Sequence, residues 1–475
     1  MSNICIECRL VPRSISKWLV HLPGRLAVLG LVAGSASAIQ AQYFKTTFIF
    51  GAPGDPSCPG SALIAQTPGG NLIGTSDNSC DGGQSGAAFE VGYEGANFTI
   101  LEGFGTNLPA SGLTLGTDQR FHGTTTYGGS RNHGTVYRLS TEPSIVYEHD
   151  FEGGADGGYP SAAPIQSSTG DFYGTTNGAS TQYAGTIYKI AATGHYSVLH
   201  VFSTTDGSRP AAPLVEGSDG NLYGITGSGG QYGYGTIFRI SPAGDFESLY
   251  SFDGTFGEYP IGPLIQASDG NFYGVAALGG AQNAGDVFKM TPDGTVTVLY
   301  DFPANGAGGT QPGGGLVEAT DGNFYGTFTN GGAGGEGTVY RLTKAGVFTD
   351  VHDFYFGSGA TPECTLIQHT SGKLYGTTNA GNYYEHGTMF YLDMGLAPFV
   401  RYLPVYGQAG ATVDILGEYF QPGVSTVFFN GVPAVNPKIT STYIEATVPD
   451  GATTGYITVT TSKGILTSNK PFVVH

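Results

Sequence analysis

Short apolar runs recur along the chain, separated by segments rich in glycine, proline and asparagine, with a period of about 50 residues. In the unit that starts at Gly315 the runs are GLVEAT, NFYGTF, GTVYRL and VFTDVHDF. They are short, compatible with β-structure and without helical periodicity. Asp321-Gly322, which joins the first two runs, is a typical sequence for a two-residue hairpin turn. Each unit is therefore predicted to contain four β-strands.

Two glycines and one proline mark equivalent positions of the units. The first glycine, usually after an aromatic residue, recurs at intervals of 49, 51, 50, 50, 52 and 50 residues, at Gly74, Gly123, Gly174, Gly224, Gly274, Gly326 and Gly376. The second glycine is found at Gly86, Gly134, Gly185, Gly235, Gly285, Gly337 and Gly387. The proline follows a run that ends in phenylalanine, at Pro59, Pro109, Pro160, Pro210, Pro260, Pro312 and Pro362. A fixed period of this length is typical of propellers, solenoids and arrays.

Seven four-stranded units predict an all-β fold, a seven-bladed β-propeller over residues 43–393. A β-helix is disfavoured because its repeats are far shorter. The first recognisable piece, Phe44 to Phe50, corresponds to a fourth strand, and the last, Gly387 to Leu392, corresponds to a third strand. We therefore expect the N-terminal strand to complete the last blade and to leave no open seam.

Residues 397–475 are predicted to form a second domain after a short linker, Leu396 to Pro398. The runs ATVDILGEYF, STVFFNG, YIEATVP and GYITVTT alternate apolar and polar positions. Several short alternating strands within about 80 residues indicate a small β-sandwich. No cysteine occurs in it, so an immunoglobulin-type disulfide is not expected.

The N-terminus has the pattern of a secretion signal, residues 1–38. Basic residues precede an apolar run from Leu26 to Ala33, and Ala36-Ser37-Ala38 supplies a small-residue cleavage site. Because this run is too short to span a bilayer, we expect a secreted or cell-surface protein with no membrane span in the mature chain. A retained membrane anchor is the alternative. The net charge of −18 should repel nucleic acid, so no nucleic-acid partner is expected.

Cysteines suggest one disulfide. Cys5 and Cys8 lie in the segment that we expect to be removed, which leaves Cys58, Cys80 and Cys364. Cys58 and Cys80 belong to the first unit, and ring closure would place Cys364 of the seventh unit beside them. One disulfide is plausible in an oxidising compartment, with Cys58 and Cys80 as the candidate pair, and its partners stay open.

Repeated charges have a structural interpretation. A basic residue occupies one repeat position in five units, at Arg138, Lys189, Arg239, Lys289 and Arg341. We expect each to pair within its own blade, for example with the acid that precedes the repeated phenylalanine at Asp150, Asp301 and Asp353. Convergence of these charges on an anion is the alternative.

Histidines recur too far apart to chelate one metal ion. His149, His200 and His352 lie close to the repeated phenylalanine, and His133 and His386 directly precede the second glycine. No catalytic, phosphate-binding or metal-binding motif occurs in a usable context. Consequently no metal, no cofactor and no catalytic residue is predicted.

The segment between the two glycines varies most from unit to unit. If the strands of each blade run from the channel outwards, these second-to-third loops share one face with the loops that connect the blades. That face would carry Tyr127, Arg131, Tyr183, Tyr232, Tyr234, Tyr383 and Tyr384. Exposed aromatic side chains among Asn and Gln suit contact with a sugar or a peptide. Solubilising loops with incidental tyrosines are the alternative.

Two family resemblances cover most of the chain. The motifs DGNFYGT, GG and GTVYRL at their 50-residue period resemble the GloVer tandem repeat of the choice-of-anchor family of bacterial surface and secreted proteins, over about residues 43–393. The strand order is also similar to that of kelch repeats, although the kelch tryptophan is absent. Residues 397–475, with AGATVDILGEYF, TVFFNGVPA and VPDGATTGYITVTT, resemble an IPT/TIG domain, which implies an immunoglobulin-like sandwich.

Three functions are compatible with these observations. The leading hypothesis is an exported, non-catalytic binding, adhesion or scaffold protein that presents its loop face to a glycan, a peptide or another surface partner. The alternative is a propeller enzyme acting on a polysaccharide, or a lyase, because DGNLYG resembles the repeat of streptogramin lyases. A passive spacer is the third.

Overall fold

A computed structural model describes residues 43–52, 55–59, 65–76, 86–105, 107–110, 112–140, 145–178, 184–306 and 308–474. All described residues belong to one compact unit, Gln40–His475. The predicted signal peptide, residues 1–38, therefore lies outside the described residues. No helix within the described ranges is long and apolar enough to cross a membrane.

Seven antiparallel sheets, called blades 1 to 7, account for the described residues up to 393. Blade 7 takes its outer strand from the N-terminus, β1 (Tyr43–Ile49). Blade 1 contains β2 (Ala65–Gln66), β3 (Leu72–Ser76), β4 (Gly86–Val91) and β5 (Thr99–Gly105), and blade 2 contains β6 (Thr114–Leu115), β7 (Phe121–Thr125), β8 (Thr135–Leu139) and β9 (Ile145–Asp150). Blade 3 contains β10 (Ile165–Gln166), β11 (Phe172–Thr176), β12 (Thr186–Ile190) and β13 (Tyr196–Val201), and blade 4 contains β14 (Val215–Glu216), β15 (Leu222–Thr226), β16 (Thr236–Ile240) and β17 (Phe246–Ser251).

The last three blades follow the same order from the inner to the outer strand. Blade 5 contains β18 (Glu258–Gln266), β19 (Phe272–Leu278), β20 (Asp286–Met290) and β21 (Val296–Asp301). Blade 6 contains β22 (Thr310–Pro312) and β23 (Val317–Glu318), which both pair with β24 (Phe324–Asn330), and then β25 (Thr338–Leu342) and β26 (Phe348–Asp353). Blade 7 contains β27 (Ile367–Gln368), β28 (Leu374–Thr378) and β29 (Thr388–Asp393), which pairs with β1.

The pairing of β1 with β29 closes the ring, as the sequence predicted. The register runs from Tyr43 opposite Asp393 to Ile49 opposite Thr388. Phe44 anchors the strand, with its ring stacked on His352 at a centroid distance of 3.8 Å and its edge against Phe354. Blade 7 is therefore built from both ends of the repeat region, and its outer edge is covered.

The second glycine and the proline of neighbouring repeats form one contact. A Cβ atom on Gly185 would lie 2.6 Å from Pro210 Cδ of the next blade, and Gly185 has a φ of +123°. Gly387 of blade 7 meets Pro59 of blade 1 in the same way, at 3.0 Å. Only glycine permits this approach, because a side chain would overlap the proline ring. The regular recurrence of these two residues in the sequence therefore reflects the close packing of successive blades.

The first glycine makes room for an aromatic ring on the third strand. A Cβ atom on Gly376 would lie 2.7 Å from the ring of Phe390, its register partner on β29. Gly74 and Phe89 stand in the same relation at 2.9 Å. The buried ring takes the volume that a side chain on the second strand would otherwise occupy.

Side-chain hydrogen bonds, called inter-blade clamps, join most blades at the turn between the inner and second strands. In each clamp a Ser or Thr of one turn donates its backbone N–H to a Gln or Glu side chain at the end of the next blade's inner strand. The pairs are Thr117 with Gln166, Ser168 with Glu216, Ser218 with Gln266, Ser268 with Glu318, Thr320 with Gln368, and Thr370 with Gln66. The pair of Thr370 and Gln66 joins blade 7 to blade 1, which is a second closure of the ring.

The boundary between blades 1 and 2 has no clamp, because both residue types differ there. Pro68 stands in place of the Ser or Thr and has no N–H, and Leu115 stands in place of the Gln or Glu. The Thr442 hydroxyl of the C-terminal sheets instead donates to Pro68 O at 2.8 Å.

The C-terminal residues form two further sheets packed face to face. The first contains β30 (Arg401–Leu403), β32 (Thr412–Leu416), β36 (Tyr443–Thr447) and β35 (Val435–Ile439). The second contains β31 (Tyr406–Gly407), β38 (Gly464–Val474), β37 (Gly455–Thr461), β33 (Thr426–Phe429) and β34 (Val432–Pro433). Val413, Ile415, Val427, Ile457 and Val459 are completely buried between them. Alternate apolar residues of both sheets therefore make one core, as expected for a β-sandwich.

The sandwich lies on the face of the propeller that carries the inner-to-second turns, called the turn face. Phe399 N donates to Thr370 O at 3.0 Å, and Gln119 Nε2 donates to Tyr443 Oη at 2.7 Å. Lys470 Nζ donates to Gln266 O at 2.8 Å. Contacts to blades 2, 5 and 7 place the sandwich across the propeller axis, an arrangement that the sequence did not predict.

A buried aspartate replaces a repeated threonine in blade 5. Thr176 and Thr186, at the ends of neighbouring strands, share a hydroxyl hydrogen bond of 2.9 Å, and three other blades have an equivalent pair. In blade 5 the third-strand position is Asp286, which is completely buried with no hydrogen-bond partner for either carboxylate oxygen among the described residues. Burial, followed by the charge of Asp301, raises the pKa of Asp286 to about 7.

Replacing Phe44 by alanine should destabilise the whole propeller, because it removes the ring that anchors the closing strand. We expect a loss of about 3 kcal/mol in the free energy of unfolding, measured by urea denaturation. The matched control is Tyr43→Ala, since Tyr43 is 57% exposed on the same strand and should cost far less. Equal stability of the two variants would show that β1 does not close the ring.

Replacing Asp286 by threonine should stabilise the protein in a pH-dependent manner. A carboxyl group whose folded-state pKa lies above its unfolded value, near 4, loses stability as the pH rises through the interval from about 4 to about 7. At pH 8 the Asp286→Thr variant should gain on the order of 2–4 kcal/mol in the free energy of unfolding, and the gain should disappear near pH 4. Asp293→Thr, at an exposed aspartate of the same blade, is the control, and a pH-independent difference would contradict the assignment.

Candidate functional site

The loops at the other end of the strands form the loop face, defined as the second-to-third loops together with the loops that connect neighbouring blades. Both kinds of loop lie at the same strand ends, opposite the turn face. Backbone hydrogen bonds join them, for example Ser208 N to Ser228 O at 2.7 Å and Ala360 N to Ala380 O at 2.7 Å. The loops therefore support one another, and their side chains are presented from an ordered backbone.

The predicted residues of blade 2 belong to a first aromatic group. Tyr127 lies edge-on to Tyr159 at a centroid distance of 5.6 Å, and His133 contacts the same Tyr159 ring at 5.2 Å. Arg131 is exposed on the same loop. The predicted Tyr183 of blade 3 lies outside the described residues.

Tyr232 and Tyr234 belong to a second group between blades 4 and 5. Tyr234 contacts Tyr259 edge-on at 6.2 Å, and Tyr259 N donates to Tyr234 O at 3.0 Å. Tyr232 and Phe256 are exposed on the two loops concerned. Tyr234 packs against the core of its blade, so only part of its ring is available to a ligand.

Tyr383 and Tyr384 belong to a third group, which we call the aromatic patch and which also includes Tyr355 and Phe356. Tyr383 is 91% exposed, and its ring lies edge-on to Tyr384 at 5.3 Å. Tyr355 and Phe356 are 56% and 47% exposed on the loop that connects blades 6 and 7. Asn382 N donates to Phe356 O at 2.5 Å, which holds the two loops side by side. Four exposed aromatic side chains are thus presented from adjoining loops.

Sequence reasoning missed the aromatic residues of the connecting loops. Tyr159 and Tyr259 directly precede the repeated proline, and both adopt a positive φ, 55° and 52°. The dipeptide Tyr-Pro at this repeat position was a signal that could have identified them. Tyr355 and Phe356 directly follow the repeated phenylalanine, and only the hydrogen bonding between loops places them beside Tyr383 and Tyr384.

The structure does not bring the predicted residues into a single cluster. The ring contacts of the described loops stay within each of the three groups, at blades 2 and 3, 4 and 5, and 6 and 7. The assignment of Tyr127, Arg131, Tyr183, Tyr232, Tyr234, Tyr383 and Tyr384 as a ligand-binding set stays a prediction.

Three of the repeated basic residues, Arg138, Lys189 and Arg239, pair with an acid of their own blade, but with other acids than we expected. Arg138 contacts Glu148 at 3.3 Å, and Lys189 contacts Asp171 at 2.6 Å. The acids that precede the repeated phenylalanine instead accept backbone N–H groups of the second-to-third loop. Asp301 accepts from Ala281 at 2.8 Å, and Asp150 and Asp353 do the same in their blades. The loop needs this acceptor because its glycine-rich backbone has few partners of its own.

The histidines near the repeated phenylalanine contact the outer strand of the next blade. His149 stacks on Tyr196 at a centroid distance of 3.5 Å and contacts Asp156 at 3.2 Å. His200 stacks on Phe246 at 3.8 Å, as His352 stacks on Phe44. Each histidine thus packs between two blades. Within the described ranges, no three His, Cys, Asp or Glu side chains are grouped to hold a metal ion.

The structure gives the bonding state of two cysteines. Cys58 is disulfide-bonded, and Cys364 is a free thiol that is completely buried. Burial raises the pKa of the Cys364 thiol to about 11. Cys80 lies outside the described residues, as does the partner of Cys58, so their pairing stays a prediction.

Solved structures resemble the chain at low identity. A catalytically inactive virginiamycin B lyase from Staphylococcus aureus with quinupristin is 15% identical, with a TM-score of 0.51, and the match covers 74% of this chain and 99% of that one. A fungal alcohol oxidase of the AA5 family with copper is 13% identical, with a TM-score of 0.49, over 92% and 100% of the two chains. Oligogalacturonate lyase from Vibrio parahaemolyticus is 13% identical, with a TM-score of 0.47, over 74% and 96%. The first similarity shows a shared fold alone, and the other two are too distant to support an inference.

Family comparisons are more specific. No curated protein is significantly similar to the chain. The Gloeobacter/Verrucomicrobia repeat matches residues 58–269, 145–317 and 257–411, which together span more than half of the sequence, and the IPT/TIG domain matches residues 399–474. The chain therefore belongs to the Gloeobacter/Verrucomicrobia repeat family and carries an IPT/TIG domain after its repeats.

Proposed function

We propose that this protein is an exported, non-catalytic binding protein that holds a glycan on its loop face. The aromatic patch of Tyr355, Phe356, Tyr383 and Tyr384 is the observation that carries the proposal. Sugar rings pack their apolar C–H faces against aromatic rings, while hydroxyl groups of the sugar and of tyrosine exchange hydrogen bonds. Export is supported by the signal-like sequence of residues 1–38 and by the disulfide at Cys58.

The position of the C-terminal sandwich supports use of the loop face. The sandwich contacts the turn face through Phe399, Tyr443 and Lys470. The opposite face has no such cover among the described residues, and its aromatic side chains are exposed. A large ligand would therefore approach the propeller from the loop face.

Four adjacent exposed aromatic side chains are unusual on a protein surface. Soluble proteins rarely leave several large apolar side chains adjacent and exposed, because their burial is worth about 25 cal/mol per Å². Closure of the ring does not require the patch, since neither the β1–β29 pairing nor the glycine–proline contacts involve its four residues. A ligand that covers the rings is the simplest use of this surface.

The enzyme alternative has weaker support. Catalysis by a lyase or hydrolase requires an acid or base within reach of the substrate. His149, His200 and His352 are engaged between blades, and Asp286 is completely buried. Polymer cleavage is therefore an outcome that the binding experiment has to exclude.

Truncation of the aromatic patch should weaken glycan capture. The mature chain would be tested on a glycan array, and the affinity for each captured glycan measured by isothermal titration calorimetry. Substitution of Tyr355 and Tyr383 by alanine should weaken binding about tenfold or more, the usual cost of removing central aromatic contacts. Tyr456→Ala, which truncates a 47% exposed tyrosine of the sandwich, is the matched control and should leave the affinity unchanged.

Three results would contradict the proposal. Capture that survives loss of the patch would place the ligand elsewhere. Capture of peptides but of no glycan would assign a different ligand class. Shortening of the captured polymer, followed by its size distribution, would support the enzyme alternative.

A further inference from the structure

The innermost strands of the blades line a cavity under the sandwich, called the axial chamber. Its two adjoining parts measure about 450 Å³ and about 250 Å³. Residues from all seven blades line them, and both parts share Pro263, Ile367, Arg401, Asn469 and Lys470. The sandwich therefore places Arg401, Asn469 and Lys470 at the propeller axis, where the two parts meet.

Two cationic side chains line this chamber without a carboxylate partner. No hydrogen bond or ion pair joins the Arg401 guanidinium to any other residue that the structure describes. Lys470 Nζ donates one hydrogen bond, to Gln266 O at 2.8 Å, which leaves two of its three protons available. The five N–H donors of Arg401, which is an exposed residue, are therefore available to a ligand.

Two carboxylates of the inner strands are already engaged. Glu318 lines the smaller part of the chamber, but its carboxylate contacts Lys344 at 2.6 Å and accepts a hydrogen bond from the Ser268 hydroxyl at 2.6 Å. Glu216, at the equivalent position of blade 4, accepts hydrogen bonds from Ser168 and from the Tyr406 hydroxyl. The chamber therefore has an excess of positive charge.

Both cationic side chains keep an exposed surface, although many protein atoms surround them. Burial lowers the pKa of Lys470, and the charge of Arg401 lowers it further, against an opposite effect of Glu318. Burial also lowers the pKa of Arg401. An anion between the two side chains would relieve both effects, because an opposite charge favours the charged form of each group.

The rest of the chamber wall is mostly apolar. Its larger part is lined by Leu113, Leu115, Ile165, Ile367, Val405 and Leu416. A cavity of about 450 Å³ lies within the range of small-molecule sites, which combine apolar walls with a few placed polar groups. A bare inorganic ion would leave this apolar surface unused.

We propose that the axial chamber binds a small organic anion, with its carboxylate on Arg401 and Lys470 and its compact apolar body against the inner strands. A guanidinium matches a carboxylate with two parallel hydrogen bonds, and the lysine adds a third donor. Asn469 lies beside both cations and can donate to the same headgroup. This site is separate from the loop face, so it does not depend on the glycan proposal.

The test compares three probes by isothermal titration calorimetry on the full mature chain. Cyclohexanecarboxylate has the proposed charge and shape, cyclohexanecarboxamide is its neutral counterpart, and inorganic phosphate has charge without an apolar body. We expect binding of the carboxylate, and affinities at least about tenfold weaker for the other two, since each lacks one of the two kinds of contact.

Substitution Arg401→Gln should weaken carboxylate binding about tenfold or more and should remove the ligand-induced rise in melting temperature. Arg209→Gln, which removes an exposed arginine of the loop between blades 3 and 4, is the control and should behave like the unmodified protein. Unchanged affinity in the Arg401 variant, equal binding of the neutral amide, or phosphate binding as tight as carboxylate binding would each overturn the proposal. So would the absence of any heat of binding for the carboxylate at millimolar concentration.

Discussion

The fold depends on the close approach between the second glycine of one blade and the proline of the next blade, which is found at six of the seven blade boundaries. A side chain on Gly185, Gly235 or Gly337 would overlap the facing proline ring, so the backbones approach closely only where glycine is present. The contact of Gly387 with Pro59 shows that the same approach also joins the last blade to the first. Because the blades form a closed ring, widening one blade boundary would strain all the others.

Each end of the ring has a different chemistry as a result. On the turn face, the inter-blade clamps engage the Gln and Glu side chains with Ser and Thr residues of the neighbouring turns, and the sandwich covers the axis. Where the clamp is missing, at Pro68 and Leu115, a sandwich residue, Thr442, supplies a hydrogen bond. On the loop face, the acids that precede the repeated phenylalanine hold the loop backbone, which leaves the aromatic side chains free for contact. The proposed glycan would therefore bind at one face, and the proposed small organic anion at the axis.

Much of the architecture was predictable because the residues at fixed positions of each repeat determine the local geometry of its strands and turns. The glycine, proline and aromatic positions gave the strands, and the incomplete first and last units gave the closure by β1 and β29. The candidate site was predictable only in part. Tyr127, Tyr232 and Tyr383 were identified from loop variability, whereas Tyr355 and Phe356 were missed because they come from a different loop of the chain. Arg138 was expected to pair with an acid such as Asp150, but its partner is Glu148, and only the register of the strands brings these two side chains within reach.

The sequence by itself determined the strand content, the period, the two kinds of domain and the order in which the ring closes, because these follow from contacts between residues at fixed spacing. Only the tertiary structure decided where the sandwich lies, and therefore that Arg401 and Lys470 line the axial chamber. It also decided that Asp286 is buried with no hydrogen-bond partner for its carboxylate among the described residues. These outcomes depend on contacts between residues far apart in the chain, for which no local pattern of apolar and polar positions carries a signal.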